Sequence, residues 1–532
     1  MRLEMISIIP KPVKIVENPG KFILTKSTVI MAESALENIV NYLKILLQPA
    51  TGFELQFQDI SDGDKASNTI VLKINGKLSN LGSEGYVLKV NQERIIIEGV
   101  ESVGVFYGVQ SLRQLLPVEI ESPTVVKDKD WSVPCVEIED YPRFKWRGFM
   151  LDVGRHFFDK TIVKKMLDLM VLHKMNTFHW HLTEDQGWRV EIKKYPKLIE
   201  IGSKRKETQL GGIFGKEYDG KPHEGFFTQE DIKEIVSYAS ERFIKVVPEI
   251  DMPGHIKSAL AAYPELGCTG GPFEVSTKFG IRKDVCCVGK DSTFEFLENV
   301  LDEVMDLFPS QIIHLGGDEV PKARWKECPD CQARMNKEGI EDEKELQDYF
   351  TNRIVNFISS RGRIAMGWNQ VLSDTLKEDV IGQYWMFKKK QVQEHLKKGR
   401  KIVMSDYFHT YLDYSYIMTP LRKTYLYEPV PKKLEEEKHS NVLGIETPLW
   451  TEWVESMKRF GWQTFPRFTA GAEVGWTPKR GKNFKSFKKR LNFMLARLDF
   501  LGMYHAQKNE FNPRYLKRFI GLFYRHKRPT YY

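Results

Sequence analysis

From Asp140 to Phe157 the chain reads DYPRFKWRGFMLDVGRHF, and here its pattern changes. Arg147 to Val153 is a largely apolar run of strand length that stops at Gly154. Lys160 to Lys174 follows with apolar residues at mixed spacings of three and four, as in a helix that buries one face. The same alternation recurs downstream. Further strands are expected at Thr177 to Leu182, Lys245 to Ile250, Gln311 to Leu315, Ile364 to Trp368, Val380 to Trp385, Ile402 to Ser405 and Val442 to Ile445. Between them, helices are expected at Gln229 to Arg242, Thr293 to Phe308 and Glu343 to Ser360; the second carries Phe294, Leu297, Leu301, Val304 and Leu307 on one face. Eight strand-then-helix units over about 350 residues predict an α/β fold, a (β/α)8 TIM barrel, with reactive groups gathered at the C-terminal ends of its strands.

Working back toward the start, Tyr86 to Val100 reads as two strands around a polar turn, and Ser102 to Leu116 as a helix ended by Pro117. The expected organisation is a smaller α+β domain over residues 1–125, a polar linker over 126–140 and the barrel over 141–500, followed by a basic, aromatic C-terminal extension over 501–532. A chain of 532 residues exceeds what one core usually supports, which agrees with this division. The net charge of +8, from 79 Lys and Arg against 71 Asp and Glu, is a thin excess. Its densest stretches, Lys479 to Arg490 and Arg514 to Arg528, read as a solvated helix face and tail, so no nucleic-acid partner is expected. No apolar run reaches the ~18 residues of a membrane helix, and the opening MRLEMISIIPKPVKI lacks the long apolar core and cleavage site of a signal peptide. A cytoplasmic start without membrane attachment is expected, with export of a longer precursor left open.

The strand ends are rich in reactive side chains: Asp152 and Arg155; His179, His181, Glu184 and Asp185; Glu249, Asp251 and His255; then Asp318 and Glu319, Trp368, Trp385, Tyr411, Asp413, Trp450 and Glu452. The sharpest feature is QIIHLGGDEV, in which Asp318 and Glu319 are adjacent. Neighbours on a continuing strand face opposite sides, so both can address one pocket only if the strand ends here, and Gly316 and Gly317 give the backbone that freedom. Adjacent carboxylates do not suit the common retaining glycosidase, whose acid and nucleophile flank the sugar ~5–5.5 Å apart. They suit a division of labour in which Glu319 protonates a glycosidic oxygen while Asp318 holds the N–H of a 2-acetamido group whose own carbonyl oxygen attacks C1. Glu319 would then act as the base that activates water.

HLGGDEV, RGFMLDVGRHFF, HWHLTEDQGWRVEI, PEIDMPGH, GWNQ and LWTEW occur in the order found in glycoside hydrolase family 20, the β-N-acetylhexosaminidases, which this chain resembles from about Tyr141 to about Trp476. The leading domain is similar to the family's non-catalytic one. The resemblance implies an exo-acting, retaining enzyme that hydrolyses terminal non-reducing β-linked GlcNAc or GalNAc through an oxazolinium intermediate, without a cofactor. It implies that Asp318 and Glu319 are catalytic, and that His255 and Glu184 form a relay supporting Glu319. It further implies that Arg155 binds the O3 and O4 hydroxyls, that Trp368, Trp385 and Trp450 wall in the N-acetyl group and sugar, and that Tyr411 donates to the acetamide oxygen. Asp413 lies on the loop of Tyr411, and Glu452 matches the carboxylate on O4 and O6. Many members carry Asp where this chain has Glu184, one methylene longer.

Two other readings stay open. His179 and His181 in HWH are spaced as a zinc-binding pair in a metal-dependent barrel hydrolase, and the scaffold can also serve a catalytically inactive carbohydrate-binding protein. Cys328 and Cys331 form a CxxC, readable as a zinc half-site, a redox pair or two nearby thiols. No second CxxC or His pair follows at ligand spacing, which argues against zinc, so no metal is expected. Cys268 with Cys286 or Cys287 could bridge a loop. The expected partner is an oligosaccharide or glycoconjugate ending in a β-N-acetylhexosamine; a homodimer is compatible with the sequence.

Overall fold

A computed structural model describes residues 6–60, 67–212, 214–376, 379–387 and 389–513. The eight expected strands all form, at Trp146–Asp152, Thr177–His181, Lys245–Glu249, Ile312–His314, Ile364–Trp368, Ile381–Tyr384, Ile402–Met404 and Val442–Leu449. They close into a barrel in which each strand pairs in parallel with its sequence neighbour and the last pairs with the first. Three of the helices between them start at side-chain caps. Asp159 accepts from the Thr161 and Ile162 N–H groups ahead of Lys160–Leu172, Thr228 forms a capping box with Asp231 ahead of Gln229–Ser240, and Asp342 caps Glu343–Ser360.

Because side chains alternate along a strand, each barrel strand sends every second residue inward, and the interior is built in layers. The lower layer is apolar: Trp146, Val247, Ile312, Met366, Ile381 and Val403 form one buried cluster. Two residues further along the same strands come Glu249, His314 and Gln383, joined by His179 and Glu446 in a fully buried polar layer. Above it lie the strand ends, with Trp368, Trp385 and Tyr411 clustered around Met150. An apolar floor, a polar collar and an aromatic mouth thus follow from the period of two in the sequence.

The leading domain is a seven-stranded mixed sheet carrying the helices Glu37–Thr51 and Ser102–Leu115. Its expected hairpin is present as Tyr86–Val90 against Arg94–Gly99. The expected linker over 126–140 is corrected: Ser132–Asp140 is an internal strand of this sheet, paired with Lys14–Ile23 on one side and Tyr86–Val90 on the other. The polar run Lys127 to Asp130 and Pro134 masked it, yet Val133, Val136 and Ile138 are buried, and Pro134 is accommodated where the pairing with the edge strand shifts register at Glu17 and Lys21. Asp140 ends that strand as a buried joint to the barrel, paired with the Lys174 ammonium at 2.9 Å and accepting from Trp476 Nε1 at 2.9 Å.

The expected boundary at residue 500 also moves. Met503, Ala506 and Phe511 are buried, and the Ala506 N–H donates to the Phe465 carbonyl, so the chain continues as part of the barrel wall to the end of the description. The basic stretch Arg514 to Arg528 lies outside the described residues. Within Lys479 to Arg490, Lys485, Lys488 and Lys489 are exposed as expected, whereas Arg490 is buried against Glu473 with contacts of 2.6 and 2.7 Å. Among the described residues no helix is long and apolar enough to cross a membrane.

Candidate active site

The fourth barrel strand stops at His314, and the backbone then turns through left-handed conformations at Gly316 (φ 66°) and Gly317 (φ 89°). A Cβ at Gly316 would lie 1.8 Å from Asp251 Oδ1, so glycine is required there by space as well as by φ. Glu319 itself has φ 49°, as does His255 on the neighbouring loop. Left-handed conformations are costly for residues with a Cβ and tend to persist where surrounding structure holds a functional group in place. Here they point two adjacent carboxylates at one imidazole: His255 Nε2 is 3.6 Å from Glu319 Oε2, and His255, Asp318 and Asp251 each offer a polar atom within 4.8 Å of the others.

His255 and Glu184, expected to form a relay, lie in contact. His255 Nδ1 lies 2.9 Å from Glu184 Oε1 and 3.6 Å from Asp185 Oδ2, so the longer Glu184 side chain still reaches the imidazole. Burial disfavours charge on His255, but the Glu184 carboxylate and the contacts with Asp185 and Glu319 outweigh it and raise the imidazole pKa well above its ordinary value. The charged form therefore faces Glu319. Glu184 is shared with Arg155 through an ion pair with its Nη2, and Asp152 fixes the same guanidinium at 3.4 Å while accepting from the Thr451 N–H and hydroxyl. Arg155 also stacks over Trp450, 4.8 Å from the ring centroid.

Trp368, Trp385, Tyr411 and Trp450 form the aromatic mouth. Trp385 and Tyr411 are nearly parallel, with centroids 6.3 Å apart at 21°, and Trp450 lies 5.6 Å from Trp368 and 6.4 Å from Tyr411. Two of the walls are pinned by their indole N–H groups, Trp368 to Glu249 and Trp385 to Gln370, both at 2.8 Å. Burial, with the Asp318, Asp413 and Glu319 charges, keeps the Tyr411 phenol protonated and thus a donor. Asp413 and Glu452 sit on the polar side of this mouth. Burial and the Glu452 charge raise Asp413 well above the carboxylate range, and Asp413 Oδ1 has no protein partner among the described residues. Burial raises Glu452 too, against the pull of Arg155. A buried polar oxygen without a partner is costly, and a sugar hydroxyl is a group that would satisfy Asp413 Oδ1.

Asp251 had no role assigned from sequence, and it lies beside Asp318. It accepts from the Gly317 N–H, and burial together with the Asp318 charge raises its pKa well above the usual range. Burial first, then the Glu319 and Glu249 charges, raise Asp318 to about 7 against the lowering effect of His255. Two buried carboxyls this close cannot both ionise cheaply, so the pair retains a proton toward neutrality. Their meeting depends on the third-strand loop crossing the fourth, which no local pattern in the chain announces.

The histidines behind the zinc alternative are engaged elsewhere. His179 Nδ1 is 2.9 Å from Glu446 Oε1 and its Nε2 is 3.0 Å from Glu249 Oε2, while His181 Nδ1 lies 2.6 Å from Glu249 Oε2. Burial opposes charge on His179, but the Glu446 and Glu249 carboxylates prevail and push its pKa to about 9, so it serves as the buried counter-ion of the collar. The two histidines of HWH thus do not present their free nitrogens to one open metal position.

A (β/α)8 barrel whose mouth combines paired carboxylates, an arginine and tryptophan walls is the site of a carbohydrate-processing protein. The chain matches the descriptions "Glycosyl hydrolase family 20, catalytic domain" over residues 144–479 and "Glycosyl hydrolase family 20, domain 2" over residues 5–141. It belongs to glycosyl hydrolase family 20. A β-hexosaminidase of Porphyromonas gingivalis is 40% identical over 516 residues, an alignment that takes in 94% of this chain but 64% of that protein, so this chain spans somewhat less than two thirds of that relative. A β-hexosaminidase of Akkermansia muciniphila is 32% identical, with 84% of this chain and 90% of that protein covered. The solved β-N-acetylhexosaminidase of Streptomyces coelicolor superposes with a TM-score of 0.82 at 31% identity, covering 96% of this chain and 98% of that one.

Proposed function

We infer that the protein is an exo-acting retaining β-N-acetylhexosaminidase that removes a terminal N-acetylhexosamine from an oligosaccharide or glycoconjugate, with the substrate's acetamide as nucleophile. The observation that carries this reading is the convergence of Asp318 and Glu319 on His255 beside a closed aromatic mouth. In the first step the acetamide N–H donates to Asp318 while Tyr411 donates to the acetamide oxygen, and the tryptophan walls hold the group under C1 and exclude water. As that oxygen bonds to C1, Glu319 passes its proton to the glycosidic oxygen and the C1–O bond breaks. The resulting oxazolinium cation faces the Asp318 carboxylate. In the second step Glu319 takes a proton from water, which attacks C1 and restores the acetamide with the original anomeric configuration.

Glu319 also borders an open cleft of about 440 Å³ lined by Val320, Lys322, Gln347, Gln370 and Asp374, which gives the departing sugar or aglycone a place on the far side of the proton donor. Arg155, Asp413 and Glu452 offer the donors and acceptors for the ring hydroxyls. The test compares a nitrophenyl N-acetyl-β-glucosaminide with its 2-hydroxy counterpart. Rapid release from the first and poor release from the second is expected, together with strong inhibition by a thiazoline mimic of the cyclised acetamide. Equal rates on both glycosides, or a trapped glycosyl ester on the protein, would overturn the mechanism; sugar binding without any release would instead mark a lectin.

A further inference from the structure

Four of the six cysteines meet at one point, away from the sugar site. Cys268 follows the short turn Pro264–Leu266, Cys287 precedes the helix Asp291–Leu307, and Cys328 and Cys331 begin the helix Pro329–Glu338. Cys287, Cys328 and Cys331 are buried and Cys268 is half-buried; all are free thiols. Their sulfurs lie within 4.8 Å of one another, with Cys287 at 3.6 Å from Cys328 and 3.7 Å from Cys331, and Cys268 at 3.9 Å from Cys331. A tetrahedron with Zn–S bonds of about 2.3 Å has sulfur–sulfur edges of about 3.8 Å.

We propose that Cys268, Cys287, Cys328 and Cys331 bind one zinc ion as a closed structural site that joins the third and fourth strand loops of the barrel. The expectation of no metal rested on the lack of a second paired motif. The fold supplies the missing half as two single cysteines, from either end of the loop between His255 and the helix Asp291–Leu307. All four tetrahedral positions are filled by protein, which leaves no open position for substrate or water and assigns a folding role. Binding converts the four thiols to thiolates with release of their protons to solvent, and nothing is oxidised or reduced.

The surroundings fit that occupant. A Cβ at Gly289 would lie 2.1 Å from the Asp330 carbonyl carbon and 2.4 Å from the Cys331 nitrogen, so glycine is what lets the CCVG turn press against the CPDC turn. The Gly289 N–H hydrogen-bonds to the Cys287 sulfur. Two basic side chains border the cluster: Lys290 reaches the Gly267 carbonyl and Arg334, itself paired with Asp291 at 2.7 Å, reaches the Gly289 carbonyl, each carbonyl contact at 3.3 Å. The site is wired to the catalytic loops through Cys286, whose N–H donates to the Pro253 carbonyl and whose carbonyl accepts from Trp325 Nε1. Pro253 is two residues from His255, and Trp325 follows Glu319 on the next loop. The zinc would therefore fix the loops whose contact sets the distance between His255 and Glu319.

The test is elemental analysis and zinc-edge X-ray absorption on the full chain purified under reducing conditions from zinc-supplied cells. One zinc per chain with four sulfur neighbours at about 2.3 Å is the expected result. Cys331→Ser should lose the metal and melt at lower temperature, while Cys135→Ser, in the leading domain, should keep both. Should Cys331→Ser prove insoluble, the absorption spectrum of the unmodified protein still decides. Iron in place of zinc, a metal-free protein whose thiols titrate freely after incubation with zinc, or a peptide map showing disulfides among these four residues would each overturn the proposal. None of these outcomes depends on glycosidase activity.

Discussion

Asp318 should be destabilising in the resting protein because its carboxyl is buried beside other carboxylates. Burial and the neighbouring carboxylates lift its pKa from 3.8 to about 7. A group whose folded pKa is raised contributes stability that is fully present below the unfolded pKa and is lost as pH climbs through the folded one. The wild-type protein should accordingly lose stability between about pH 4 and pH 7 from this site. At 1.36 kcal/mol per unit the loss is at most ~4 kcal/mol once Asp318 is ionised, and part of it is shared with Asp251 because the two hold a proton together. Asp318→Asn keeps the shape, does not titrate and relieves Asp251. Above pH 7 the variant should therefore melt higher than wild type, and near pH 4 the two should differ little. For a unit of this size ~1–2 °C accompanies each kcal/mol, so the gap at pH 8 should be at most roughly 4–8 °C.

Scanning calorimetry of both proteins from pH 4 to 8 measures this directly, and the same variant should lose about 10²–10³-fold in kcat through loss of charge facing the oxazolinium ion. Melting curves that run parallel across the range would show that Asp318 is not held protonated against burial. A rise in KM alone would show that its charge does not act on the transition state. Stability gained where turnover is lost would place the cost of the site at this one carboxyl.

Replacing Glu319 by Gln should lower turnover of substrates with poor leaving groups by about 10²–10⁴-fold, read from initial rates, with much smaller loss on aryl glycosides of acidic phenols. His255→Phe should change the shape of the kcat/KM pH profile and cost less in kcat than Glu319→Gln; an unchanged profile would rule out the relay. Arg155→Lys should reduce kcat/KM by roughly 10–100-fold, because the planar fork held by Asp152 and Glu184 cannot be reproduced by an ammonium, and retention of full activity would disconnect Arg155 from the sugar. Gly316→Ala should disable the enzyme without touching a reactive group, since the new methyl falls on Asp251 Oδ1; a crystal structure with Asp251 in place would contradict this.

What the sequence made legible, and what it hid, divides along one line. The eight barrel strands were readable because burial on both faces writes itself as short apolar runs, and the strand-end residues because strand ends are where a barrel must place its chemistry. Residues that reach the mouth from one stretch of chain, such as Asp318 with Glu319 or Trp450 with Glu452, were therefore visible. Ser132–Asp140 was missed because a polar run and a proline outweighed its alternation, although the sheet tolerates that proline at a register shift. Asp251 and the pairing of Cys268 and Cys287 with the CxxC were hidden for a different reason: each meets its partner only when the third-strand loop folds across the fourth. That crossing brings His255 to Glu319, Asp251 to Asp318 and four sulfurs to one point. The loop contact that no local pattern encodes is thus the one that brings His255 against Glu319 and Asp251 against Asp318, and the cysteine cluster joins the same two loops.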